Sequence, residues 1–366
     1  LRYNAEAEPA RDGRNGDMAY SGVMDDVRRA VAMERPKRLP TFICSEEMDV
    51  RVCGSRYDRY NADAREMARV QIEAVERFDY DWAWLQVDDC IEFEPLGVGV
   101  KGNGDILPAT CGYLTPTQDS LDALRHHGYH VEGRMEVLLD AIRAVKDYFG
   151  DAVCVTGRTA APFSAATLAF GMDTILTMPF IDPEFLEESL RFFEEYQTAF
   201  GLSQIGAGAD ALWFGDCSAS GHLISPQIYR DFAMEPARRV CERYKAAGAV
   251  VIYHASEELP AMVDLQADVG FSILSVGPGI SIEEARRIVD GRVCLSGNVD
   301  PLAVLARGTS DEVKKEVERV VRNVSIHGGH VMNSGEMVPR ETPEENVRAF
   351  VETTRNAWES LRGKSD

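Results

Sequence analysis

ALWFGDCSASGHLISPQIYRDFAMEPARRVCERYKAAGAVVIYH, residues 211–254, contains a strand, a helix and a second strand in succession. ALWFG and VVIYH are near-continuous apolar runs, the pattern of parallel strands covered by helices on their outer face. Between them Ser225-Pro226 opens a segment, 226–247, with helical periodicity. A serine caps free N–H groups at a helix start, and a proline at the first position has no N–H to leave unpaired. Each run turns polar where it ends, at Asp216 and at His254.

The same unit recurs in both directions. Apolar runs predict strands at 40–44, 82–87, 152–156, 211–215, 250–254, 271–276, 293–297 and 330–334. Helical segments are predicted at 62–78, 135–149, 182–200, 226–247, 257–269, 282–289, 310–326 and 342–361. Eight strand–helix units in one chain call for the α/β class and a closed (β/α)8 TIM barrel rather than an open sheet. The barrel is expected over 39–366. Residues 1–38 form an N-terminal arm, with a helix at 24–34 across the barrel's bottom, and 88–134 is a Gly- and Pro-containing capping insertion.

Composition narrows the function classes. The chain has 366 residues, 45% hydrophobic and 27% charged, as in an ordinary globular protein. A formal charge of -21 argues against nucleic acid or an anionic membrane as partner. No apolar run nears the ~18 residues of a membrane span, and the N-terminus lacks a signal-peptide pattern. The eight cysteines stand singly, with no C-x-x-C pair, which fits reduced thiols and a cytoplasmic location.

A barrel places its chemistry at the C-terminal strand ends. There the sequence puts Ser45, Glu46 and Glu47 after TFIC, Asp88 and Asp89 after WLQV, and Asp216 after ALWFG. His254 closes VVIYH, Asn298 and Asp300 follow CLSG, and Glu336 follows HVMNSG. His126, His127 and His130 lie in a polar segment without a carboxylate or cysteine at ligand spacing, and read as solvated. The glycines of 97–104 lack the strand–helix setting of a phosphate loop.

MDDVRRAVAMERPKRLP, VDDCIEFEPLG, GDCSASGHLISPQIYRDFAMEPARRV, CLSGNVDP and NSGEMVPRETPEENVRAF together resemble the uroporphyrinogen decarboxylase superfamily. That group includes uroporphyrinogen decarboxylases and cobamide-dependent methyltransferases, and the resemblance spans about residues 20 to 361. The departures separate the two branches. Decarboxylases carry arginine after strand one to grip substrate carboxylates; here CSEEMDVR is acidic and would repel them. The decarboxylase tyrosine after the APF-type motif is Leu168, and the histidine near strand eight is replaced by Glu336. The methyltransferase branch holds zinc with H-x-C after strand five and a cysteine after strand eight. Here His254 matches the histidine, Ser256 replaces the first cysteine and Glu336 the second.

The resemblance therefore implies a corrinoid-dependent methyltransferase, moving a methyl group from a small methylated donor to a cobamide on a partner corrinoid protein. The expected donor is an O-methyl ether. His254 and Glu336 are the expected zinc ligands, with Glu257, Glu258, Cys217 and Asp216 as candidates for the rest. His254, Glu336 and Asp88 are the expected catalytic groups, with zinc or Glu336 as a general acid drawing charge from the leaving oxygen. Asp216, Ser218 and Asn298 are expected to bind substrate. Two alternatives remain open: a metal-free decarboxylase of a small acid using Asp88, and a catalytically silent barrel that binds a corrinoid protein.

Overall fold

A computed structural model describes residues 20–102 and 104–362. Residues 1–19, half of the expected arm, therefore lie outside the described residues, as does Asn103 within the glycine stretch. The strands are β1 (Trp82–Trp84), β2 (Gly99–Lys101), β3 (Ala109–Gly112), β4 (Cys154–Ala160), β5 (Ala211–Gly215), β6 (Val250–Glu257), β7 (Ile273–Val276), β8 (Cys294–Asn298) and β9 (His330–Asn333). Seven form one curled parallel sheet in the order β1-β4-β5-β6-β7-β8-β9. The other two, β2 and β3, make an antiparallel hairpin inside the expected capping insertion.

The expected first strand, 40–44, is not a strand. Thr41 makes an isolated parallel bridge to Met332 in β9, with Phe42 N–H donating to the Met332 carbonyl at 3.1 Å. On its other side Asp81 N–H, just before β1, donates to the Thr41 carbonyl at 3.0 Å. The ladder stops because side chains take the remaining N–H groups. Asp81 Oδ2 accepts from Thr41 N–H at 2.9 Å and Ser334 Oγ from Cys44 N–H at 3.2 Å. The segment thus bonds towards both sheet edges without becoming a regular strand.

Alternation along the strands sorts two cores. Phe42, Cys44, Trp82, Trp84, Cys154, Ala211, Trp213, Ile252, Ile273, Cys294 and Val331 form one cluster on the concave face, together with Val23, Met24, Val27 and Ala30 of the helix Val23–Val31. The alternate residues, among them Ala83, Val155, Leu212, Phe214, Val251, Tyr253 and Leu274, join the larger cluster under the outer helices.

The helix expected over 226–247 is found as Pro226–Ile228 and Met234–Ala246 joined by a π-helical turn, Tyr229–Ala233. Pro162–Phe170 and Met172–Ile181 are helices that the sequence does not announce. Every residue of Pro162–Phe170 but Leu168 is buried, so no polar face marks a helical period. Among the described residues no single helix is long and apolar enough to cross a membrane.

Candidate active site

Register places the inward-facing residues in layers. Trp213 pairs with Ile252 in the layer below, and His254 pairs with Ser275 and Gly215 in the next. Ser275 pairs in turn with Ser296. His254 therefore rises from the concave face just above an aromatic floor. The Trp213 ring lies 4.7 Å from the His254 ring, and Trp84 lies 5.4 Å from Trp213. Beyond His254 the strand bulges before Glu257, and Ser256 sits at φ +49°, a backbone region that strains a side-chain-bearing residue.

Glu336 comes from the opposite side of the curled sheet, after β9. Gly335 makes this possible: its φ is +76°, and a Cβ there would stand 2.7 Å from the Val276 carbonyl. Asn333 Oδ1 takes the Gly335 N–H at 2.8 Å, and Ser334 Oγ donates to the Glu336 carbonyl at 2.7 Å. The outcome is an ion pair, His254 Nε2 to Glu336 Oε2 at 3.4 Å. Ser275 Oγ lies 3.1 Å from His254 Nδ1, Ser256 Oγ lies 3.4 Å from Nε2, and Cys217 Sγ lies 3.5 Å from Ser256 Oγ.

Burial alone would push the His254 pKa down. The Glu336 charge, with a smaller contribution from the Cys217 sulfur, outweighs it and raises the imidazole to about 10. Glu336 is held below the usual carboxylate range: its own burial opposes this, and the His254 charge prevails. The proton of the pair therefore sits on the imidazole. Glu336, expected as a general acid, is therefore the unprotonated partner of the pair.

The same groups are the expected zinc ligands. Glu336 Oε1 is buried without a hydrogen-bond partner, as an oxygen reserved for a metal would be. Among the described residues, however, no three His, Cys, Asp or Glu side chains converge on one point. His254 and Glu336 supply two donors, fewer than the three protein ligands of an open zinc site. Of the four further ligand candidates only Cys217 stands beside them. Glu257 accepts from the N–H groups of Gly221, Glu258 and Leu259 and from Gln266. Glu258 accepts from Gly279 N–H at 2.8 Å and lies 3.3 Å from His222.

The remaining expected site residues are placed elsewhere. Asp216 is fully buried between β5 and the helix Pro162–Phe170. Ser164 Oγ donates to it at 2.8 Å and Tyr253 OH at 2.8 Å. Ser218 shares a hydrogen bond with Thr167 at 2.7 Å and accepts none from the mouth. Both tie a strand end to a helix. Asn298 Nδ2 donates to the carbonyls of Gly277 at 2.8 Å and Ile280 at 2.7 Å, clamping that loop. Asp88 is ion-paired to Arg134 and also accepts from Cys90 N–H at 2.8 Å and Asn61 at 3.3 Å. With its oxygens so engaged, Asp88 is a poor free base for a decarboxylation. His127 pairs with Glu132 at 2.7 Å on the cap surface.

One buried pair escaped the sequence reading. Arg158, inward on β4, bonds Glu92 at 2.5 Å and Asp89 at 3.2 Å. The apolar-run template had ended that strand at 156, two residues short of this arginine.

Comparison with known proteins bears on the family and the fold. The family profile described as "Uroporphyrinogen decarboxylase (URO-D)" matches residues 23–357. A methylcobamide:CoM methyltransferase MtbA of Methanosarcina acetivorans is 23% identical, over 90% of this chain and 96% of that protein. A uroporphyrinogen decarboxylase of Chlorobium luteolum is 28% identical, over 77% and 82%. Among solved structures, a methyltransferase from Methanosarcina mazei superposes with a TM-score of 0.82 at 21% identity, covering 91% of this chain and 98% of that one. With a match running through nearly all the described residues, the chain belongs to the uroporphyrinogen decarboxylase family.

Proposed function

We propose that this protein is a methyltransferase that removes a methyl group from a small methylated donor, an O-methyl ether, for transfer to a cobamide on a partner corrinoid protein. The segment 40–44, bonded towards both β1 and β9, bridges the two sheet edges in the place of the expected first strand. The observation that carries the reading is the His254–Glu336 ion pair, set at a strand end above the Trp213–Trp84 floor.

Breaking an O–CH3 bond by attack on carbon leaves negative charge on oxygen. An imidazolium is a donor aimed at that charge as it develops. Its pKa of about 10 is close to that of a phenol, so proton transfer to an aryl oxygen is nearly balanced. Glu336 favours the charged imidazolium before each turnover, the neutral imidazole left by proton transfer takes a proton from solvent afterwards, and Ser275 fixes the ring by holding Nδ1. The aromatic floor, with Trp84 edge-on to Trp213, offers ring contacts to an aryl donor. A cobamide, when delivered by its carrier, supplies the nucleophile that takes the methyl group.

Names of relatives support the class of reaction: the Methanosarcina proteins are methylcobamide:CoM methyltransferases. The acidic 45–49 segment weighs against a polycarboxylate substrate. The test is to mix the purified protein with a cob(I)amide carrier and O-methyl aromatics, and to follow the cobalt spectrum. The expected result is donor-dependent loss of the reduced cobalt signal that His254→Ala abolishes. An unchanged spectrum with every donor overturns the reading.

A further inference from the structure

Ser256 stands beside the ion pair, and the chemistry above gives it no task. Its backbone is the first observation. β6 and β7 pair in step at His254 and Ser275, but Val276, the next residue of β7, pairs with Glu257, so Ala255 and Ser256 are extra. In an unbroken strand Ser256 would lie about 6.6 Å beyond His254. The bulge and a φ of +49° turn it instead, and its Oγ ends 3.4 Å from His254 Nε2.

Anchors hold that turn on both sides. The His254 carbonyl accepts from Asp216 N–H at 2.7 Å, and the Glu257 carbonyl from Gly277 N–H at 3.1 Å. The buried Glu257 carboxylate takes the N–H groups of Gly221, Glu258 and Leu259. A residue with a side chain, kept at positive φ by such surroundings, points to a functional demand on where that side chain sits.

The distances around the hydroxyl are the second observation. His254 Nε2 stands 3.4 Å from Ser256 Oγ and 3.4 Å from Glu336 Oε2, both beyond the ~3.2 Å of a well-formed N–H···O bond. The Nε2 proton thus has two equidistant acceptors and is committed to neither. Ser256 Oγ has Cys217 Sγ at 3.5 Å, a weak partner, so its own proton can swing to a better one. Ser256 is half-buried and Cys217 exposed, whereas His254 is buried. The hydroxyl therefore stands on the solvent side of Nε2, within reach of a ligand that meets the imidazole.

We propose that Ser256 Oγ and His254 Nε2 form a two-donor cradle for the leaving oxygen, which makes Ser256 a catalytic residue. This rests on the methyltransferase reading. When the O–CH3 bond breaks, its electron pair stays on the oxygen and the methyl passes to the reduced cobamide named above. The oxygen takes the Nε2 proton; Ser256 keeps its own and donates a hydrogen bond. Donors aimed in advance at a developing charge are what such a step requires. The second donor matters here because Glu336, the other neighbour of Nε2, is an anion and disfavours charge on that oxygen.

The test is calorimetric binding of 4-nitrophenolate, a mimic of the departing group, against its neutral isostere 4-nitrotoluene, without any corrinoid. Wild type, Ser256→Ala and Ser256→Gly are compared: alanine removes the hydroxyl and keeps the strain, and glycine removes both. Both variants are expected to bind the phenolate roughly tenfold or more weakly and to leave nitrotoluene binding unchanged. In turnover of ring-substituted methyl aryl ethers, their loss in kcat is expected to grow as the leaving phenol becomes more basic. Equal losses for phenolate and nitrotoluene, unchanged phenolate binding in Ser256→Ala, or one kcat loss for every leaving group overturns the proposal. A glycine variant that matches wild type while alanine fails overturns it in favour of a purely conformational role. Ether turnover without any wild-type preference for the phenolate removes the cradle and leaves the methyltransferase reading. A Ser256-dependent preference without turnover of any ether does the reverse.

Discussion

His254 Nε2 meets Glu336 Oε2 at 3.4 Å although their strands, β6 and β9, are separated in the sheet by β7 and β8. The contact is therefore made across the concave side, and each partner sets the other's charge. Removing the carboxylate with Glu336→Gln leaves the burial of His254 opposed only by the smaller Cys217 contribution, so its pKa should fall from about 10. Nitrogen chemical shifts of the imidazole across pH read this directly. The same variant should lose roughly 10²–10⁴-fold in methyl transfer, the usual worth of a placed acid. A wild-type His254 that titrates near 6.5 would sink the assignment.

The sign of the pH effect on stability follows from the same shift. A histidine whose folded pKa is raised contributes stability that is fully present below its unfolded pKa. That contribution should be lost as pH rises from about 6.5 through about 10. Urea midpoints of wild type and His254→Gln should converge across this window. Midpoints that stay parallel from neutral to alkaline pH would refute the pair's role in the fold.

Ser256 separates His254 from Cys217, and its hydroxyl lies 3.4 Å from the first and 3.5 Å from the second. Ser256→Cys should therefore assemble His254, Glu336 and two thiols around one point, a complete set for zinc. Elemental analysis should show about one zinc per chain in Ser256→Cys, retained on dialysis against a weak chelator, and less in the double variant with His254→Ala. Zinc content that does not respond to either change would mean that these side chains do not share a metal position.

Much of the fold was legible because parallel strands are nearly unbroken apolar runs. Residues 211–215 were read with both ends correct, and His254 and Glu336 could be picked out as polar residues closing such runs. The 40–44 segment misled because an apolar run does not reveal that Asp81 and Ser334 will take its N–H groups. The hydrogen-bond partners of Asp216 and Ser218 were not legible for a related reason. A polar residue after a strand can turn outward to a helix as readily as inward to a ligand, and only the packing of Ser164 and Thr167 decides which. The Arg158–Glu92 pair was invisible because its partners lie 66 positions apart.

Asp216 yields its own prediction. Burial raises its pKa to about 6, against the opposing hydrogen bonds of Ser164 and Tyr253. An acid with a raised folded pKa contributes stability that is fully present below the unfolded value, about 3.9, and lost as pH rises through about 6. Asp216→Asn should flatten the stability profile across that acidic window. Tyr253→Phe takes away one donor and leaves a buried oxygen short, costing about 1–3 kcal/mol with methyl transfer per folded molecule unchanged. A large loss of turnover in Tyr253→Phe at full folding would return Asp216 to the chemistry.

Gly335 offers the sharpest separation of position from composition. It holds φ at +76°, and an added Cβ would press on the Val276 carbonyl at 2.7 Å and the Asn298 Cβ at 3.1 Å. Gly335→Ala leaves every titratable group in place yet forces the 334–336 turn to move. Backbone strain of this kind costs about 1–3 kcal/mol, too little to unfold a protein of this size. If the aim of Glu336 matters, the variant should stay folded while the His254 pKa drops and methyl transfer falls in parallel with Glu336→Gln. If instead Glu336 merely needs to be nearby, the imidazole should keep its high pKa and turnover should change less than threefold. Imidazole titration and turnover measured on the same sample decide between them, since a general loss of stability would lower turnover without moving the pKa of the molecules that remain folded.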